Sequence, residues 1–185
     1  GDFSKVNLSY ANFENSKLTN CNFSNTIIVG TNFRNCVLNN CSFIDSNAEK
    51  VTFDNSQMEG THFSKARLVS SSFKYCDLRR AFFIEANLEN VNLSYAKPIQ
   101  AVFRKARIRS VNMEGATLLG SDLTDAFLYH VNFSNTLACH AKFTRSYLVD
   151  SKFNEANIDD CDFRNCDLSR VEFRKAKMQN ANLND

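Results

Sequence analysis

Seven cysteines and three histidines are the residues of this chain whose types could support metal binding, nucleophilic attack or proton transfer. Their spacing argues against each. Cysteine metal sites usually bring two thiolates together as a CxxC pair, and Cys21, Cys36, Cys41, Cys76, Cys139, Cys161 and Cys166 form none. His62, His130 and His140 are scattered along the chain. No glycine-rich phosphate loop, nucleophile elbow or metalloprotease helix accompanies them. The reading is of a chain that is not an enzyme, with no catalytic residue, metal or cofactor.

The element that positions these residues is a repeat. Cut into fives from Gly1, the 185 residues read GDFSK, VNLSY, ANFEN, SKLTN, CNFSN and so on to ANLND, with no insertion. The third place is Phe, Leu, Ile or Met in every unit except at Ala48, Pro98 and Ala138; the first is always small; the second is often Asn or Asp, as at Asn7, Asn22, Asp77, Asn92 and Asp122. A period of five fits neither the 3.6-residue repeat of a helix nor the alternation of a long strand. Periodicity of this kind signals a solenoid.

The pattern resembles the pentapeptide-repeat family, whose units run roughly Ala, Asp/Asn, Leu/Phe and two variable residues. The resemblance covers the whole chain. It implies an all-β fold, a right-handed quadrilateral parallel β-helix in which four units form one square coil. First- and third-place side chains then point inward and the other three outward. About nine coils of 20 residues follow for residues 1–185, read as a single domain.

Charges support the 20-residue coil independently. Opposite charges attract across paired strands and like charges repel. At a lag of twenty, Asp45, Lys65, Glu85, Lys105, Asp125 and Arg145 alternate in sign, as do Glu14, Arg34, Asp54 and Lys74, and Asp122, Lys142 and Asp162. Glu59/Arg79, Asp77/Lys97, Glu89/Arg109, Asp150/Arg170, Lys152/Glu172 and Glu155/Lys175 agree, and no like-charge pair occurs at that lag. The third-place residues alternate Phe3, Leu8, Phe13, Leu18, Phe23, Ile28, which on a square coil places Phe on two opposite sides. Alternation breaks at Leu88, Leu93 and Pro98, and the unit 96–100 around the single proline is the expected place for a bulge or kink.

In this geometry Cys21, Cys36, Cys41, Cys76, Cys161 and Cys166 take the small inward place and act as small buried hydrophobes. Cys139 falls outward, and His130 stacks beside Asp150. Unpaired thiols favour a reducing, cytoplasmic compartment; a secreted effector acting in a host cytoplasm is the other expectation. The 22 basic and 20 acidic residues nearly cancel, which disfavours nucleic acid and an anionic membrane as partners. No apolar stretch is long enough to span a bilayer. The repeat begins at Gly1 without Met and runs to Leu183, so a fragment of a longer, bacterial protein or an end-to-end dimer is expected, because solenoid ends normally need caps.

The anomalies are apolar residues at outward places. Phe82, Ile84 and Val102 on one side and Ile99, Leu119, Leu137 and Cys139 on the side sharing a corner with it make a candidate protein-binding patch. Phe127, Tyr129, Tyr147 and Val149 make a second. Contiguous patches of this kind mark partner surfaces. The expected function is a non-catalytic protein-interaction scaffold or spacer, its partner another protein or a flanking domain of the same one. The alternative is a DNA-mimicking protein that binds topoisomerase (gyrase), as the quinolone-resistance members of the family do; their acidic surface has no counterpart in these balanced columns.

Overall fold

The computed structural model describes residues 1–184. The chain winds into a right-handed quadrilateral parallel β-helix. Second-place residues pair with their counterparts twenty residues on, from Asp2↔Asn22 to Asp162↔Asn182. The first side of the square holds residues 1–5 and their twenty-residue counterparts; 6–10, 11–15 and 16–20 begin the second, third and fourth sides. Most pairings are isolated bridges, because a turn follows each short straight segment. Two longer strands, β1 (Arg107–Arg109) and β2 (Phe127–Tyr129), pair in parallel on the second side.

The turns explain the fifth place, which the sequence leaves as variable. Every fifth-place residue from Lys5 to Asn180 has a positive φ, between 55° and 62° wherever it is not glycine. The first-place amide usually closes the turn onto the third-place carbonyl three residues back, as Ala86 N does to Phe83 O at 3.1 Å. A positive φ at the third residue of a β-turn favours Gly and Asn and strains β-branched residues. Asn recurs at the fifth place, as at Asn15, Asn20, Asn25, Asn35 and Asn40, and no Val, Ile or Thr stands there.

Backbone accounting explains the second place. Between coils, third-place amides donate to second-place carbonyls (Phe43 N to His62 O, 2.7 Å), and fifth-place amides to fourth-place carbonyls (Lys65 N to Ile84 O, 2.9 Å). Second-place amides donate back to first-place carbonyls (Phe82 N to Thr61 O, 2.9 Å). The fourth-place amide is left over, and an unpaired amide is costly when buried. Second-place Asn or Asp accepts it: Asn92 Oδ1 takes Ser94 N at 3.0 Å, and Asp122 Oδ1 takes Thr124 N at 3.0 Å. Where the second place lacks such a side chain, the fourth-place residue of the preceding coil can substitute, as Asn39 does for Glu59 N and Asp54 for Lys74 N, both at 3.0 Å.

The interior is filled as the ten-residue alternation requires. Phe23, Phe43, Phe63, Phe83 and Phe103 stack up the first side with ring centroids 4.8 to 5.1 Å apart, close to the strand spacing of about 4.8 Å. Phe13, Phe33, Phe53 and Phe73 stack up the third side, and the two columns meet edge to face, as Phe63 and Phe73 do at 5.5 Å and 90°. Each buried ring contributes about 1.5–3 kcal/mol by removal from water, and favourable ring pairs about 0.5–1.5 kcal/mol more. Leu93 and Met113 interrupt the third-side column and Leu123 the first-side one. Leu88 is no irregularity, since it lies on an aliphatic side.

First-place Ser, Thr and Cys do more than fill space. Ser56 Oγ donates to Phe33 O at 2.7 Å, Thr61 Oγ1 to Leu38 O at 3.0 Å and Cys76 Sγ to Phe53 O at 3.0 Å, each linking a corner to the coil before. Burial pushes the Cys41 and Cys161 thiols up to about 12, so they remain protonated donors.

Pro98 departs from expectation. It is buried at a third place, and the fourth-side pairing passes from Asp77↔Lys97 to Thr117↔Leu137, one rung short. Flanking rungs hold, with Thr117 N on Ala96 O and Gln100 N on Leu119 O, both 2.9 Å. The register continues through the proline, because only its own missing N–H is lost from the ladder and its third-place carbonyl still accepts the turn amide of Ala101 at 3.1 Å.

The charge columns close selectively. Arg145 grips Asp125, Arg170 grips Asp150 and Arg79 reaches Glu59, at 2.7, 2.6 and 3.2 Å. Arg34–Asp54, Lys152–Glu172 and Lys175–Glu155 lie at 3.6 to 3.9 Å. Asp77 instead pairs with Arg79 on its own coil at 2.6 Å, and Asp162 with Arg164 at 2.7 Å. The paired arginines hold the Asp125, Asp150 and Asp162 carboxyls below the usual carboxylate range. Because the folded pKa is depressed, this stabilisation is complete above about pH 4 and is lost as pH falls through the folded values.

Gly120→Ala, with an added Cβ in ordinary contact 3.7 Å from Gln100, should cost about 1–2 kcal/mol for the left-handed backbone alone. Gly115→Ala, whose Cβ would lie 2.5 Å from the Tyr95 ring, should lower the thermal midpoint further and alter tyrosine fluorescence; equal midpoints contradict this. Asp125→Asn, Asp150→Asn and Asp162→Asn together keep side chains suited to the turns and remove the charges. The triple variant should flatten the fall in thermal midpoint between about pH 4 and pH 2, and an unchanged slope counts against the ion pairs.

Candidate interaction surface

Both apolar patches are continuous along the rod. In the first, Phe82 pairs with Val102 on the first side. Ile99, Leu119 and Cys139 stack in one fourth-place column, carried by the rungs from Gln100 N to Leu119 O and from Gly120 N to Cys139 O. Leu137, paired with Thr117, adjoins Cys139. Leu137 is 39% exposed, while Phe82, Ile84, Ile99, Val102, Leu119 and Cys139 are half-buried. The His62 ring lies on Phe82 at 4.4 Å and 20°, covering part of it.

The second patch stands further out. Phe127 and Tyr147 stack in parallel, centroids 5.4 Å apart and planes 1° apart, and are 40% and 44% exposed. Tyr129 and Val149 are half-buried beside them, joined through the rung from His130 N to Val149 O at 3.0 Å.

Sequence reasoning missed what adjoins this patch. A groove of about 350 Å³ lies on the second side, lined by Asn87, Glu89, Arg107, Ile108, Arg109, Phe127 and Tyr129. A search for outward apolar residues passes over an arginine pair, but a search for arginines with no opposite charge one coil away on both sides would have marked Arg107. Tyr75 and Tyr95, also missed, stack at 5.3 Å on the third side, with the Tyr95 ring over Gly115. Reading the fifth place at a lag of twenty gives Tyr75, Tyr95, Gly115 and reveals it.

The candidate chemistry remains dispersed. His130 lies 3.7 Å from Asp150, as expected, and His140 lies 3.9 Å from Asp160, a pair the sequence reading did not name. Both pairs sit on the outer surface, one on the second side and one on the fourth. Cys139 is a half-buried free thiol. Among the described residues no group of three or more His, Cys, Asp or Glu is placed to hold a metal ion, and no helix is long and apolar enough to cross a membrane.

The Pentapeptide repeat region family matches residues 16–93 and 46–123, and Pentapeptide repeats (8 copies) matches residues 146–185. No curated protein matches the chain. Among solved structures, HetL, a pentapeptide repeat protein involved in heterocyst differentiation regulation in the cyanobacterium Nostoc sp. strain PCC 7120, is 21% identical, with 99% of this chain and 87% of HetL covered and a TM-score of 0.45. Trypsin-treated QnrB1, a plasmid-mediated fluoroquinolone resistance protein, is 22% identical, with 97% and 91% covered and a TM-score of 0.47. A pentapeptide repeat protein of the Arabidopsis thaliana thylakoid lumen is 21% identical, with 58% and 68% covered and a TM-score of 0.29. With its five-residue unit, its twenty-residue coil and family matches over well over half its length, the chain belongs to the pentapeptide repeat family.

Proposed function

We propose that this chain is a non-catalytic scaffold that binds another protein, or a flanking domain, through the outer faces of its middle and later coils. The observation that carries the reading is the exposed Phe127–Tyr147 stack. The two rings stack on each other, yet both leave a large part of their apolar surface in water, which the filled interior does not require. Aromatic residues are over-represented among the anchors of protein interfaces. The first patch, from Phe82 to Cys139, offers a flatter, half-buried apolar surface around the corner of the square.

Other features fit binding better than turnover. The inward thiols of Cys36, Cys41, Cys76, Cys161 and Cys166 are occupied as hydrogen-bond donors, and the two His–Asp pairs lie apart on the outer surface. The DNA-mimic alternative needs a surface dominated by carboxylates; here arginine sits against acid along several columns, as in Arg145–Asp125 and Arg170–Asp150.

The test is affinity capture with the wild type, a Phe82→Asp/Val102→Asp variant and a Phe127→Asp/Tyr147→Asp variant, with circular dichroism confirming that each retains the fold. Loss of one specific partner from one variant is expected. An identical set of partners from all three discards the patches, and inhibition of gyrase supercoiling by stoichiometric protein replaces the scaffold reading with the DNA-mimic one.

A further inference from the structure

The groove on the second side has a feature that an apolar patch alone does not explain. Arg107 and Arg109 are the second- and fourth-place residues of β1, so both point outward, and both are exposed. Neither has a carboxylate within 4.0 Å among the described residues, whereas eight of the nine other arginines do: Arg34, Arg67, Arg79, Arg80, Arg104, Arg145, Arg164 and Arg170. The reason lies in the next coil. β2 places Phe127 beside Arg107 and Tyr129 beside Arg109, where acids stand beside arginine in other columns. In the preceding coil, Asn87 lies beside Arg107, and Glu89, which also lines the groove, stands one coil below Arg109 without closing to within 4.0 Å of it.

The backbone is also distinctive here. Among the described residues, only the β1–β2 pairing runs through three consecutive residues, so the face is most strand-like under this groove. Two guanidinium groups on alternate residues of a strand stand about 6.6 Å apart at the backbone. An extended peptide lying along the rod between these two columns turns successive side chains to opposite sides, so two neighbouring carboxylates can face Arg107 and Arg109, and arginine binds carboxylates through paired, charge-assisted hydrogen bonds. Tyr147 lies two coils beyond Arg107, about 9.6 Å along the rod, or about three residues of extended chain.

We infer that this groove binds an acidic, extended peptide segment of a partner protein, with two carboxylates on Arg107 and Arg109 and an apolar or aromatic side chain three residues further on against Phe127 and Tyr147. Arginine and tyrosine together are typical anchors of protein interfaces, and opposite charge across the contact speeds encounter and selects the partner. Glu89 offsets one of the two positive charges, which favours a peptide with a short acidic pair over a long polyanion. The inference rests on the scaffold reading and specifies its partner.

The experiment is fluorescence anisotropy with a fluorescein-labelled peptide carrying two adjacent glutamates and a phenylalanine three places after the second. The same peptide with glutamines and a single-stranded oligonucleotide of equal length serve as comparison probes. Tighter binding of the glutamate peptide is expected, with affinity reduced at least tenfold by Arg107→Glu/Arg109→Glu and weakened by added salt. Arg107→Lys/Arg109→Lys, which keeps the charge, should lose part of the affinity through the lost bidentate geometry and checks that loss of fold is not responsible. Equal binding of the glutamine peptide, preference for the oligonucleotide, or indifference to the charge reversal overturns the inference. A captured protein partner whose binding ignores Arg107→Glu/Arg109→Glu overturns it too while leaving the scaffold reading in place.

Discussion

A left-handed backbone conformation at every fifth residue is the constraint on which the rest of this structure depends. With φ near +57° at positions such as Lys105, the chain turns a corner after each short straight segment. Four corners close a square and return the chain above its starting point twenty residues later. Side-chain direction follows from the short segment: the second-place residue at its centre faces out, and the first and third on either side of it face inward. An unsuitable fifth residue costs about 1–2 kcal/mol in left-handed strain, which is small once and large when repeated at every unit. The predominance of Asn, Gly, Asp, Lys and other unbranched residues at this place is the chain's answer to that cost.

Given the corner, the remaining places are determined by what each must satisfy. The ladder uses the amides of the second, third and fifth places, and the turn usually takes the first, so the fourth-place amide needs an acceptor. Second-place Asn and Asp supply one within the same unit, which accounts for their frequency better than a general liking for polar surfaces. Most third-place carbonyls, engaged by the turn, have a second lone pair directed at the next coil to which first-place Ser, Thr and Cys donate, while Ser56, Ser71 and Ser151 also accept the turn amide themselves. What remains inside is the space between opposite sides, which phenyl rings stacked at the coil spacing fill.

Much of this was legible in the sequence. The five-residue register and the Phe/aliphatic alternation predict the core directly, and the lag-twenty charges predict the coil, as Asp150 and Arg170 show by closing to 2.6 Å. Asp45 and Lys65 share a column yet form no close pair among the described residues, because an exposed lysine gains little by giving up its freedom for one contact. Pro98 misled because the rule against proline concerns the missing N–H, and at a third place that removes one rung without obstructing the inward position. The fifth place was passed over because its signal is the residues it lacks. Arg107 was passed over because lone hydrophobes attract notice while a missing partner does not, and Arg109 was counted only as the partner of Glu89, a pair that does not close within 4.0 Å among the described residues.

The central claim is that residues twenty apart lie directly above one another with the backbone ladder between them. Disulfide trapping of an Asn92→Cys/Asn112→Cys variant, read by peptide mass spectrometry against a control whose second cysteine lies one side away, Asn92→Cys/Arg107→Cys, tests it most directly. Neighbouring strands about 4.8 Å apart fall within the Cα separation of about 4.4–6.8 Å that a disulfide accepts. The account predicts an intramolecular bond between positions 92 and 112 on mild oxidation and none between 92 and 107. A bond between 92 and 107, with 92 and 112 left reduced, would contradict it.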